Sequence, residues 1–149
     1  MSQIRKIVFG TDFSEVSERA LDRLLELARA LAASVDVVHV YALPSFNLPI
    51  EGAVMPTAAY AAKLTDQLQE SLDAVLARHR DAGVPLQGHL RAGSAHEELV
   101  LVAGELGADL IAVGTHARTG AAHAFLGSVA ERVVRGADRP VLTLPPCVT

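Results

Sequence analysis

Asp109-Leu110-Ile111-Ala112-Val113-Gly114 is the stretch that decides the fold. After Asp109 it is apolar without alternation up to Val113, and a strand reads that way when both of its faces are covered. Upstream, His96 to Leu106 carries Leu99, Val100, Ala103 and Leu106 at helical spacing, with Gly107 as a C-terminal cap. Downstream, a loop leads to a helix from Ser128 to about Arg135, ended by Gly136. Val141 to Leu144 then supplies a last strand before Pro145-Pro146.

The same alternation runs back to the start. Ile4 to Phe9 reads as a first strand. A helix follows from about Ser14, with Val16, Ala20, Leu24, Leu27, Ala28 and Leu31 at its inner spacing. Val35 to Tyr41 is a second strand. A long helix over Ala58 to Asp81 presents Leu64, Leu68, Leu72, Val75 and Leu76, and Gly83 stops it. Pro85 to Ala92 reads as a shorter, more polar strand suited to an edge. Leu43 to Pro56, with three prolines and Gly52, is a surface excursion without assigned structure. Strand–helix alternation of this kind selects an α/β fold. The expectation is one doubly wound, five-stranded parallel sheet of order 3-2-1-4-5, helices on both faces, over a single domain of residues 1–149.

Composition narrows the function classes. Half of the 149 residues are apolar, and 13 Lys+Arg against 17 Asp+Glu leave a net charge of −4. That balance lacks the basic footprint of a nucleic-acid binder or of a membrane-surface protein. No window approaches 18 consecutive apolar residues, and only Ile7-Val8-Phe9 follows the basic start before Gly10, too short for a signal sequence. Cys147 is the sole cysteine, so no internal disulfide forms. The expectation is a soluble, cytoplasmic protein with neither nucleic acid nor membrane as partner.

In open α/β sheets, ligands bind beyond the carboxyl ends of the strands where strand order reverses. Here that point lies between strands one and four, and the two most distinctive loops follow those strands. One is Gly10-Thr11-Asp12-Phe13-Ser14; the other runs from Gly114 to Ser128. Gly114 directly after a buried strand allows a tight turn and a close ligand approach. Gly127-Ser128 opens a helix whose free N–H groups suit a phosphate, although Ser128 with Glu131 also reads as a capping box. Asp12 with Glu15 can cap the first helix, or can accept from a ribose hydroxyl or a base amine.

Enzyme signatures are missing. The sequence has no phosphate-loop lysine motif, no G-x-G-x-x-G after the first strand, no G-x-S-x-G and no H-E-x-x-H. His116 and His123 have no carboxylate between them, a poor basis for a metal site. His39 reads as a hydrogen-bonded sheet residue, Glu97-Glu98 as first-turn helix charge, and Arg118, Arg132 and Arg135 as surrounding the proposed phosphate helix, two of them as its solvated face. No catalytic residue and no metal ligand is assigned.

The chain resembles the universal stress protein family over nearly its whole length. The resemblance rests on Lys6-Ile-Val-Phe-Gly-Thr-Asp-Phe-Ser14, Val37-Val-His-Val-Tyr41, Gly93-Ser-Ala-His-Glu-Glu98 and the block from Gly114 through Leu142. The ATP-binding branch carries G-x-x-G-x₉-G-[ST]; this sequence has Gly114-x-x-Ala117-x₉-Gly127-Ser128 with every spacing intact. The resemblance implies that Asp12, with backbone at Gly10, Thr11 and Val40, holds the adenosine end. Val113 and Gly114 would line the base and ribose side. Gly127, Ser128 and Val129 would face the phosphates, with His116 and Ala117 in the loop between. It also implies ATP or a related adenine nucleotide as ligand, with or without Mg2+, and a homodimer joined along Val141, Leu142, Thr143 and Leu144.

The departure is Ala117, which stands where the pattern has its second glycine. If that position needs a left-handed backbone, alanine costs roughly 1–2 kcal/mol there. Two readings follow. One is a stress-response regulator that binds nucleotide without turning it over; the other is a dimeric interaction protein that has lost the nucleotide. An adenylyl-transfer enzyme on the same architecture lacks both an H-x-G-H-like signature and a phosphate-side lysine.

Overall fold

The computed structural model describes residues 3–43, 58–115 and 126–145. Its elements alternate as β1 (Lys6–Gly10), α1 (Glu15–Leu31), β2 (Ser34–Tyr41), α2 (Ala58–Arg78), β3 (Leu86–Ala92), α3 (Ala95–Leu106), β4 (Leu110–Gly114), α4 (Ser128–Gly136) and β5 (Val141–Leu144). All strands pair in parallel, in the order β3-β2-β1-β4-β5. The excursion expected over 43–56 falls almost wholly outside the described residues, as do His116, Ala117, Arg118, His123 and Cys147.

Period-two alternation divides the strands between two apolar layers. Ile7, Phe9, Val35, Val37, Leu110 and Ala112 meet α1 and α2 on one face. Val8, Val38, Ile111 and Val113 meet α3 and α4 on the other. β1 and β4 are therefore buried on both sides, the condition their continuous apolar runs demand. Each fully buried Ile, Val or Phe stabilises the sheet by about 1.5–3 kcal/mol.

Element ends differ from the expected ones for identifiable reasons. β4 starts at Leu110, and the Asp109 carboxylate just before it accepts from the Arg5 and Lys6 N–H groups at 2.9 and 3.0 Å. α2 ends at Arg78, and a turn follows in which Gly83 takes φ +72°. The inner face of α1 runs through Ser17, Ala20, Leu21, Leu24, Leu25 and Ala28, while Leu27 faces solvent. β3 does lie at an edge, but with seven residues it is longer than β1, and its polar face is internally paired. There His89 Nε2 donates to the buried Asp36 at 2.8 Å, and Arg91 pairs with Glu105 on α3.

Candidate functional site

Beyond the carboxyl ends of β1, β2 and β4 lies a cavity of about 280 Å3. Three helices begin around it. The first residue of α3, Ala95, and the first three of α4, Ser128, Val129 and Ala130, form part of its wall, and α1 contributes Val16 and Ser17. Strand order reverses at this place, since β1 pairs with β2 on one side and β4 on the other.

The structure brings nine of the sequence-derived residues to this cavity. Gly10, Thr11, Asp12 and Val40 stand on the β1–β2 side; Val113, Gly114, Gly127, Ser128 and Val129 stand on the β4–α4 side. His116 and Ala117 lie outside the described residues. Val16, Ser17, Val38, Ala95, Leu99 and Ala130 also line it and were not anticipated. A signal for Ser17 exists: it is a lone hydroxyl on the apolar stripe of α1, one turn before Ala20 and Leu21.

The turn after β1 is built from local side-chain bonds. Ser14, not Asp12, caps α1, its hydroxyl accepting from the Ser17 N–H at 3.1 Å. Asp12 instead accepts from the Ser14 N–H at 2.9 Å, closing an Asx turn. Phe13 between them takes φ +63°, and its N–H donates to Thr11 Oγ1 at 3.1 Å. The Phe13 ring stacks on His39, with centroids 4.2 Å apart. His39 Nδ1 donates to the Thr11 carbonyl at 2.8 Å, which fixes the ring as a positioned sheet residue. Thr11 N–H in turn donates to the Val38 carbonyl at 2.9 Å.

The glycines act differently from expectation. Gly114 does not turn; it is the last residue of β4, and a Cβ there would meet the Ala20 Cβ at 3.3 Å. It is small for the sake of α1 packing. Gly127 is the N-cap of α4, which makes Ser128 the first helical residue, and no side chain caps the helix. The expected Ser128–Glu131 capping box is absent, and Glu131 pairs with Arg135 at 2.7 Å instead. Ser94, the N-cap of α3, also makes no side-chain cap bond.

Electrostatically, the cavity therefore receives two helix N-termini without side-chain caps. Their first-turn N–H groups and positive dipole ends favour an anionic ligand group. The titratable groups displaced from their ordinary ranges lie elsewhere. Backbone N–H bonds from Arg5 and Lys6 hold Asp109 below the usual carboxylate range; side-chain bonds with Arg139 lower Asp138 and raise Arg139; and Glu18 raises Arg78. Among the described residues no group of three or more His, Cys, Asp or Glu side chains could hold a metal ion. No described helix is long and apolar enough to cross a membrane.

Known proteins share this fold. Universal stress protein MJ0531 of Methanocaldococcus jannaschii is 35% identical over 141 residues, covering 94% of this chain and 81% of its own length. The solved structure of protein MJ0577 superposes with a TM-score of 0.74 at 28% identity, covering 99% of this chain and all of that one. A universal stress protein solved in complex with cAMP superposes with a TM-score of 0.71 at 26% identity, covering 98% of this chain and all of that one. The model of the universal stress protein family itself matches residues 3–145, which takes in every strand and helix described above, and the chain belongs to that family.

Proposed function

We propose that this protein is a cytoplasmic regulator of the stress response that binds ATP or a related adenine nucleotide at the β1/β4 switch point. The observation that carries this reading is the convergence on one cavity of two helix N-termini without side-chain caps and the polar β1 turn. Gly127, Ser128 and Val129 receive the phosphates; Asp12, with backbone at Gly10, Thr11 and Val40, takes the adenosine end. Val113 and Gly114 flank the base and ribose, and His116 and Ala117 count among the nucleotide-binding residues. A Mg2+ ion, where the nucleotide carries one, arrives on its phosphates. The cavity is near the lower end of the ~300–1,000 Å3 range of small-molecule sites, the scale of a nucleoside. The relative solved with cAMP supports an adenine nucleotide as the ligand.

The protein acts by binding rather than by turnover. No described hydroxyl on the cavity is hydrogen-bonded to a general base. A homodimer forms by pairing of the β5 edges.

The test is a calorimetric titration with Mg-ATP, AMP and cAMP, run on the wild type and on Ala117→Gly. Saturable binding by the wild type supports the reading. A ligand at 100 times its Kd would also stabilise the fold by about 2.7 kcal/mol. Silence from the wild type with binding restored by Ala117→Gly means that the site has been closed. Silence from both leaves a dimeric interaction protein.

A further inference from the structure

Two hydroxyls sit side by side in the cavity wall, and their protons do not balance. Thr11 is 8% exposed and Ser17 6%. Thr11 Oγ1 accepts from the Phe13 N–H at 3.1 Å, and its hydroxyl shares one hydrogen bond with Ser17 Oγ at 3.0 Å. A hydroxyl supplies one proton and two lone pairs. The pair therefore brings two protons and uses one between its own members. Among the described residues no other acceptor takes the second. This count is independent of which hydroxyl donates to which. If Ser17 donates to Thr11, the spare proton is on Thr11; if Thr11 donates to Ser17, it is on Ser17. Both residues line the cavity, so the spare proton is available to an acceptor on whatever occupies it.

We infer that the Thr11–Ser17 hydroxyl pair is a specificity-determining donor, reading a hydrogen-bond acceptor on the bound ligand. This rests on the adenine-nucleotide reading above and adds side-chain recognition to a turn otherwise credited with backbone and carboxylate contacts. An adenine nucleotide offers suitable acceptors at its unsubstituted ring nitrogens and its ribose oxygens. A ligand that presents only an N–H or C–H at that point leaves the proton unpaired and is discriminated against.

The experiment is a calorimetric double-mutant cycle. Wild type, Ser17→Ala and Ser17→Ala/Thr11→Val are titrated with AMP, with its 1-deaza, 3-deaza and 7-deaza forms, and with its 2′-deoxy and 3′-deoxy forms. Thermal melts of the free proteins check that each variant folds. The double variant is expected to bind AMP roughly tenfold more weakly than the wild type. One analogue should already be weakened in the wild type and lose nothing further in the double variant. A deaza analogue in that role identifies a ring nitrogen as the acceptor; a deoxy analogue identifies a ribose oxygen. Equal loss for AMP and for every analogue means a purely structural role for the pair and overturns the inference, as does a double variant with wild-type affinity. Silence of the wild type toward Mg-ATP, AMP and cAMP alike overturns both this inference and the nucleotide reading; silence toward AMP alone, or binding by the wild type without coupling, overturns this inference alone.

Discussion

A Cβ placed on Gly10 would stand 2.8 Å from Leu99 Cδ1 and 3.1 Å from its Cδ2. The last residue of β1 is small because α3 lays a leucine across it, and both residues face the cavity. Leu99 is 3% exposed, and the room its methyls have to retreat is the cavity itself. Gly10→Ala is therefore expected to lower stability by about 1–3 kcal/mol, as overpacking does. Urea unfolding checks it, and an unchanged midpoint would show that Leu99 moves freely.

Phe13 carries a conflict between backbone and side chain. Its φ of +63° is unfavourable for a residue with a Cβ, yet its ring stacks on His39. Phe13→Ala loses the ring and keeps the strain; Phe13→Gly loses the ring and relieves it. The glycine variant should be the more stable of the two by about 1 kcal/mol, although glycine is ordinarily the costlier residue. If alanine proves equal or better in denaturant unfolding, the turn does not hold this conformation in solution.

How much of this was legible beforehand depends on how local each cause is. The apolar runs at 110–113 and 35–38 announce buried strands because the strands carry that information in their own residues. The loops after β1 and β4 mark the place of the cavity for the same reason. Caps were harder. Asp12 and Ser14 lie two apart and both suit a cap, and only the backbone geometry decides that Ser14 holds the Ser17 N–H. The same ambiguity displaced the cap of α4 from Ser128 to Gly127. The reason Gly10 is a glycine could not be read at all, since Leu99 arrives from a distant helix. Ser17 is hard to read because helical periodicity is carried by apolar residues, and a buried serine interrupts that count.

Asp109 links the amino ends of the two central strands and makes stability depend on pH in a fixed direction. Its carboxylate accepts from the Arg5 and Lys6 N–H groups, and these bonds hold its pKa below the ordinary value of about 3.9. A depressed carboxylate contributes stability that is present above the unfolded pKa and lost as pH falls through the folded one. Asp109→Asn should be less stable than the wild type at neutral pH, and the gap should close progressively below about pH 4. Unfolding curves from pH 7 into the acid range check this; a gap that stays constant would mean that the charge contributes nothing.

The proposed dimer makes a prediction at one backbone amide. The Ile111 N–H donates to the Pro140 carbonyl and the Thr115 N–H to the Leu144 carbonyl, so 140 and 144 turn their backbone groups toward β4. By the two-residue period of a strand, Leu142 does the same, while Val141 and Thr143 turn theirs to the free edge. Thr143→Pro therefore removes an outward N–H and leaves the β4–β5 ladder with its own bonds. If two chains pair along this edge, the substitution should convert a dimer to a monomer in sedimentation or light scattering with only a small change in thermal unfolding. A Thr143→Pro protein that remains dimeric would place the interface on another surface. A wild type that is monomeric at high concentration would remove the edge-pairing proposal altogether.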